Sequence, residues 1–278
     1  MKNWITGLII AALIVAGFYY FGIYRPAVSE KPEPAAVAVA EPEAAPEAEV
    51  PPPKPEPGPL PAPEPATMEA MPLPMLAESD PVVLESLAGL VGAPAVESYL
   101  AADNVISRLA ATADALGGRQ VPGAIQAVRP PDGEFLALPN EAPEEVIRNE
   151  AGDIIPQFTL DPDNYVRYAP YVELLESVEP ASLVESYRRH YGLLQEAYRL
   201  QGYPDGDFNE RLVAVIDELL ATPEVTEPVR LMKPEAYYLY VNPELEALTA
   251  GQKIIIRMGP ENASRVKSRL REIRGYMR

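Results

Sequence analysis

The sequence predicts a mainly α-helical protein in three parts: an N-terminal transmembrane helix, a disordered Pro-rich linker, and a helical globular domain with a small β-containing insert. Three features of the 278 residues support this fold class. An uncharged stretch occupies residues 5–24, fourteen prolines fall within residues 26–65, and apolar residues recur at helical spacing in most of residues 80–278. The predicted parts are residues 1–24, 25–79 and 80–278, with the insert at about 119–160.

The stretch from Ile5 through Leu13 to Tyr24 predicts a single-pass signal anchor. Its 20 residues, at about 1.5 Å each in a helix, reach roughly the 30 Å thickness of a bilayer's hydrocarbon core. Trp4 precedes the stretch and several aromatic residues lie near its other end, which is typical of a helix that spans a membrane. A cleaved signal peptide is the alternative, but its apolar region is usually only about 7–15 residues long.

The linker is predicted to be an extended, polyproline-like spacer. Proline fixes φ and lacks a backbone N–H, so the fourteen prolines of residues 26–65 oppose both helix and sheet. Eight glutamates in the same range, against Lys31 and Lys54, add repulsion that favours extension. Two interpretations stay open: a tether that lets the globular domain work far from the membrane, or a featureless linker whose length matters little.

Composition excludes several classes of function. The formal net charge is −18, and residues 81–278 alone carry 19 basic and 30 acidic residues. A domain this acidic lacks the surplus of Lys and Arg that nucleic-acid binding requires, so no nucleic acid is expected among its partners. The chain has no cysteine and a single histidine, His190, which excludes disulfides, thiolate zinc sites and metal sites built on several histidines.

The first helices of the globular domain are predicted from their boundaries. Asp80 followed by Pro81 predicts an N-cap and a first-turn proline, and apolar residues then recur at helical spacing until Gly92. A second helix is predicted from near Pro94 to residue 116, where two glycines end it.

Residues 119–160 break the helical pattern with six prolines. Short strands are predicted at residues 134–138 and 146–148, followed by a turn at residues 149–153. We therefore expect an irregular, β-containing insert that packs on the helices.

Helical spacing returns after the insert and continues almost to the end of the chain. Asn242 with Pro243 predicts the start of a short helix, Thr249 predicts an N-cap, and Pro260 predicts the start of the last helix. Three longer helices are predicted before these, at residues 165–177, 180–201 and 207–221. In the last helix, an apolar stripe is predicted from Val266, Leu270, Ile273 and Met277.

The globular domain contains recognisable runs at residues 168–171, 202–206, 208–209, 211–213, 215–217, 220–224, 245–248, 250–253 and 257–262. With these runs it resembles a bacterial family, domain-of-unknown-function family 3014. The resemblance covers roughly residues 80–278 and is weakest between 119 and 160. It implies an N-terminal anchor and a proline-rich linker, and it implies no catalytic residues, because the family has no established activity.

Two polar features are candidates for chemistry. Alternate oxygen-bearing side chains at Asp205, Asp207 and Asn209 resemble a calcium loop, but the glycine and glutamate that such a loop needs further on are missing. The preferred interpretation is a turn at residues 204–206 and a helix cap at Asp207, completed by Glu210 as a capping box. For His190, a solvated or partner-satisfied side chain is preferred over a catalytic one.

A partner surface is predicted from tyrosines and from the basic last helix. Nine tyrosines fall within residues 168–240 and offer amphipathic contact area, although partly buried phenols at the rim of a core are the alternative. Between residues 253 and 278 there are 8 basic and 2 acidic residues, which predicts either pairing with acids of the same domain or an exposed basic surface. The residues of the predicted surface are Tyr203, Pro204, Asp205, Gly206, Arg265 and Arg269.

The function expected from these features is that of a membrane-tethered, non-enzymatic binding or scaffold module of the bacterial cell envelope. The anchor contacts the lipid bilayer through residues 5–24, and a short N-terminal tail favours a C-terminal domain in the periplasm. The expected partner is a protein or the cell wall; no cofactor or metal is predicted, and the oligomeric state stays open. The alternatives are an envelope enzyme acting on cell-wall glycan or peptide, and a stalked energy-coupling or transport-accessory protein.

Overall fold

A computed structural model describes residues 74–225 and 228–277 of the chain. The predicted transmembrane helix and nearly all of the predicted linker lie outside these residues. Among the helices in the described part of the chain, none combines the length and the apolar character that crossing a bilayer requires.

The described residues form nine α-helices and four short β-strands, so the globular domain is mainly helical, as predicted. The helices are α1 (Asp80–Val91), α2 (Ala93–Tyr99), α3 (Val105–Leu116), α4 (Asp163–Glu176), α5 (Pro180–Leu200), α6 (Phe208–Leu220), α7 (Pro243–Glu246), α8 (Ala250–Arg257) and α9 (Gly259–Tyr276). The strands are β1 (Ala137–Pro139), β2 (Gln157–Leu160), β3 (Arg230–Met232) and β4 (Leu239–Tyr240).

The main hydrophobic core lies between α3, α5, α6 and α9. Helix α5 packs on α3 and α9, and α9 also contacts α4, α6 and α8. The predicted stripe of α9 is confirmed: Val266, Leu270 and Ile273 are buried, and Met277 packs partly buried against the same core. The amphipathic spacing therefore predicted correctly which face of this helix is buried.

The four strands form one antiparallel sheet in the order β1-β2-β3-β4. The register Phe158↔Leu231↔Tyr240 places these three side chains on one face, where they belong to a second, smaller apolar cluster. Pro139 lies in the edge strand β1 and has no N–H, so this edge offers one donor fewer for pairing with another strand.

The predicted single helix from residue 94 to residue 116 is wrong, because the chain breaks into α2 and α3. Leu100 is extended and bridges Val128 of the insert, and Asn104 adopts a left-handed conformation with φ 52°. Apolar spacing continues through the break, so the local pattern could not reveal it.

The prediction that Asp80 caps its own helix is also wrong. Ser79 is the N-cap of α1, and the Asp80 carboxylate accepts hydrogen bonds from the backbone N–H groups of Asn104 (2.7 Å) and Val105 (2.8 Å) at the start of α3. A 3-10 turn at Leu76–Glu78 also precedes α1, within the range that was expected to be linker.

The insert is partly as predicted. The turn at residues 149–153 is confirmed, since Asn149 N–H donates to the Asp153 carbonyl at 2.9 Å. The first predicted strand is shifted to β1, and the second is reduced to a single bridge between Arg148 and Ile154. Strands β2, β3 and β4 were not predicted, and β3 and β4 lie outside the insert, because the sheet pairs segments about 70 residues apart in sequence.

Candidate functional site

The structure separates the two halves of the predicted partner surface. The turn at residues 203–206 follows the C-terminal end of α5, whereas Arg265 and Arg269 bind the segment that precedes its N-terminal end. Helix α5 has 21 residues, which at about 1.5 Å each corresponds to roughly 30 Å. The six predicted residues therefore do not form one surface.

The turn at residues 203–206 fastens α5 and α6 to α3. The Tyr203 ring stacks on Tyr198 with centroids 4.5 Å apart, and its hydroxyl donates to Asp114 Oδ2 at 3.0 Å. Arg211 of α6 donates to the other oxygen of Asp114 at 2.6 Å. Asp114 thus joins two residues of the runs that carry the family resemblance, which gives these runs a structural role.

The candidate calcium loop contains a helix cap. Asp207 is the N-cap of α6, because its Oδ1 accepts from the backbone N–H of Glu210 at 2.9 Å; its Oδ2 accepts from the Tyr191 hydroxyl at 3.2 Å. Both carboxylate oxygens therefore have partners within the fold. In the described residues, no group of three or more His, Asp or Glu side chains is placed to hold a metal ion.

His190 is buried in α5 and has a partner, in agreement with the preferred interpretation. Its Nδ1 lies 3.1 Å from the Ser186 carbonyl oxygen. Because a carbonyl can only accept, this contact favours a proton on Nδ1; the Ser186 hydroxyl lies 3.4 Å from the same nitrogen. Burial lowers the pKa of His190, and the bond to Ser186 opposes this shift only in part.

Three arginines of α9 are paired with carboxylates of the same domain. Arg265 binds both oxygens of Glu176, Arg269 binds Glu272, and Arg274 binds both oxygens of Asp217. The Arg265 guanidinium lowers the pKa of the Glu176 carboxyl, as expected for a bidentate pair. These contacts favour the interpretation that the basic helix is largely neutralised by its own domain.

The run of residues 257–262 builds the junction between α8 and α9. Gly259 has φ +83°, and a Cβ added to it would lie 2.5 Å from the Tyr165 ring. The Asn262 amide donates to the carbonyl of Tyr165 at 2.9 Å and to that of Met258 at 3.0 Å. Glycine at this position lets the start of α9 pack directly on the Tyr165 side chain.

Two cations of α8 are buried next to this junction. The Arg257 guanidinium lies 5.7 Å from the ring centroids of both Phe135 and Tyr240. Lys253 pairs with Glu246, and burial lowers the pKa of this lysine, although the glutamate opposes the shift. Arg257 thus packs α8 on Tyr240 of the sheet, Lys253 pairs α8 with α7, and both cations are closed off from solvent.

A cleft of about 340 Å³ opens between α9, α8 and the segment that follows α6. Its apolar lining includes Val225, Val229, Ile255 and Ile256, and Tyr165 and Gly259 of the junction also border it. The volume of the cleft lies at the lower end of the range of small-ligand sites in proteins.

Two cations of α9 face this cleft. Lys267 donates from Nζ to the Thr222 carbonyl, and the exposed Arg271 makes no ion pair or hydrogen bond with any other described residue. Burial lowers the pKa of Lys267, Glu224 raises it and Arg271 lowers it. Glu224 also lines the cleft, without forming an ion pair with either cation.

The arrangement can bind an amphiphilic anion. Aliphatic side chains offer an apolar contact, and the two cations offer donors to a carboxylate or phosphate at one end. Sequence reasoning missed the cleft: neither Lys267 nor Arg271 was singled out. Lys267 and Arg271 are spaced i, i+4 in the sequence of α9, and this was the available signal that they share one side of the helix.

Comparison with known proteins agrees with the resemblance seen in the sequence. A family model described as "Protein of unknown function (DUF3014)" matches residues 105–274, more than half of the chain. No curated protein and no solved structure matches the chain. The junction at residues 257–262 and the turn at residues 203–206 lie within the matched range, and the chain belongs to the DUF3014 family.

Proposed function

We propose that this protein is a membrane-tethered, non-enzymatic binding module of the bacterial cell envelope, with its helical domain in the periplasm. The observation that carries the proposal is the cleft beside α9, in which an apolar lining meets Lys267 and Arg271. Neither cation has a carboxylate partner among the described residues, in contrast to Arg265, Arg269 and Arg274 on the same helix. Such cations are available to a ligand.

The environments of the other polar side chains that were candidates for chemistry favour a binding function over a catalytic one. His190 is buried and bonded to the backbone of its own helix, and Asp207 uses both oxygens in a cap and a tyrosine contact. Lys253 is closed off against Glu246. A general acid or base must reach the proton that it transfers. His190 and Lys253 are buried, and the exposed Asp207 already accepts a hydrogen bond at each carboxylate oxygen.

The tether is part of the proposal and rests on the sequence. Residues 5–24 are long and apolar enough to stay in a bilayer, and residues 26–65 carry fourteen prolines. A spacer of about 55 residues in polyproline form, at about 3.1 Å each, would reach roughly 170 Å. A domain held in this way can meet partners well away from the membrane surface.

The test combines fractionation with in-cell crosslinking of the full-length protein. We expect it to remain in membranes after carbonate washing, and deletion of residues 5–24 to release it. Crosslinking is expected to give one stoichiometric partner, and the yield is expected to fall when Arg271 is changed to Gln. Release of wall fragments by the purified protein would instead identify an enzyme, and extraction of the full-length protein by carbonate would contradict the anchor.

A further inference from the structure

We propose that the cleft beside α9 binds an acidic, extended peptide segment of a partner protein, with an apolar side chain of the segment on the aliphatic lining and its carboxylates at Lys267 and Arg271. This inference rests on the proposed function and names the chemistry of the partner. Three properties of the cleft carry it: its charge, its size and its apolar lining.

The charge of the cleft selects an anion with few charges. Among the described residues that line the cleft, Lys267 and Arg271 contribute two positive charges and Glu224 one negative charge, so these residues are net positive within a domain that is net negative. Dense polyanions such as nucleic acid or an anionic membrane are repelled by the domain as a whole. A short segment with one or two carboxylates can still pair with the two cations, and Arg271 is free to bind a carboxylate through two parallel hydrogen bonds.

The size of the cleft limits its occupant to a few residues, because about 340 Å³ lies at the lower end of the range of ligand sites. One or two side chains of an extended chain fit this volume. The aliphatic contacts of Ile255 and Ile256 suit a leucine-like or proline-like residue between two acids.

Binding is tested first with a synthetic probe and full-length protein in detergent. The probe is a fluorescein-labelled Pro-Glu-Leu-Glu-Pro peptide, and its control is the Pro-Gln-Leu-Gln-Pro peptide, which lacks the carboxylates. We expect the first peptide to bind at least about tenfold more tightly than the second, because only its carboxylates accept charge-assisted hydrogen bonds from Lys267 and Arg271. Equal affinity for the two peptides would overturn the inference.

Two exposed arginines provide matched variants. Arg271→Gln is expected to weaken probe binding about tenfold, whereas Arg189→Gln, which removes the same charge from the exposed face of α5, is expected to leave it unchanged. Both side chains are exposed, so both variants keep their fold, as circular dichroism can show. An Arg271→Gln protein that binds the Glu peptide as tightly as the unaltered protein would also overturn the inference.

A photo-crosslinking residue at Ser264, which lines the cleft, identifies the natural occupant in membranes; the same residue at Ser268, on the exposed surface of α9, is the control. A crosslink from position 264 to an acidic segment of another protein supports the inference. A crosslink to a segment without carboxylates leaves the binding module intact and overturns the acidic partner. A crosslink to residues 26–65 also overturns the inference, because the occupant is then the chain's own linker and not a partner protein. If position 264 gives no more crosslinked product than position 268, the proposed function and the inference are both overturned.

Discussion

His190 is the only histidine of the chain, and its ring is enclosed in α5 with Nδ1 against the Ser186 carbonyl. Burial penalises the charged form, so the pKa of His190 in the folded protein lies below its ordinary value of 6.5. In the unfolded chain the same group takes up a proton near its ordinary pKa. Unfolding is therefore coupled to protonation of one identifiable side chain.

This coupling predicts that the protein loses stability as the pH falls below about 6.5. Above that pH the histidine is neutral in both states and contributes no pH dependence; below it, the unfolded state binds a proton that the native state does not, at a cost of up to about 1.4 kcal/mol per pH unit. His190→Gln is expected to flatten the free energy of unfolding between pH 7.5 and pH 5, as measured by urea denaturation. Equal slopes for the two proteins in this range would show that His190 is not the group involved.

The sequence runs that carry the family resemblance have their clearest structural role at the junctions between helices. Between α8 and α9 the chain passes through Gly259 at φ +83°, and the start of α9 lies against Tyr165. A side chain at this position would meet two obstacles at once, an unfavourable φ and the aromatic ring. The same junction borders the cleft, so its geometry also positions Lys267 and Arg271.

Gly259→Ala is expected to destabilise the protein by about 2–4 kcal/mol, combining backbone strain of about 1–3 kcal/mol with the cost of overpacking against Tyr165. Gly275→Ala is the matched control, because it lies in the same helix and an added Cβ would meet nothing within 4 Å. The control is expected to be neutral or to stabilise by up to about 1 kcal/mol. Thermal and urea unfolding of both variants measure the difference, and similar effects of the two substitutions would contradict the role given to Gly259.

The whole molecule combines a helical domain, which the structure describes, with an anchor and a linker proposed from the sequence. The absence of native cysteine makes the orientation of the chain directly measurable, because a single introduced cysteine is the only thiol. Ser268 is suitable for this purpose, since it is exposed on α9 and does not line the cleft.

We expect Ser268→Cys, in the full-length protein, to react with a membrane-impermeant maleimide in intact spheroplasts. A periplasmic domain gives labelling of intact spheroplasts that lysis does not increase. Cysteine placed at Lys2 is the control and is expected to react only after lysis, because the proposed tail faces the cytoplasm. The opposite pattern would show that the orientation proposed here is reversed.

Local signals predicted much of this domain and little of its site. Caps and helical spacing gave the three long helices, the short helix that starts at Pro243, and the N-cap of α8 at Thr249. The structure adds that Thr249 forms a capping box with Gln252. The partner surface could not be predicted in this way, because the exposure of a charged side chain depends on which other segment of the fold packs against it. Arg265 and Arg269 are engaged by the segment before α5, whereas Arg271 on the same helix faces the cleft.

The sequence alone determined that the chain belongs with a particular family, that its globular domain is helical, and where most of its helices begin and end. These properties follow from interactions between residues three or four positions apart, which are visible in a linear pattern. Tertiary structure alone decided that the chain breaks between α2 and α3, that the sheet joins residues 137–160 to residues 230–240, and that two cations stand over an apolar cleft. Each of these depends on partners distant in sequence, as in the pairing of Arg274 with Asp217 across 57 residues, and no local pattern encodes which distant residues will meet.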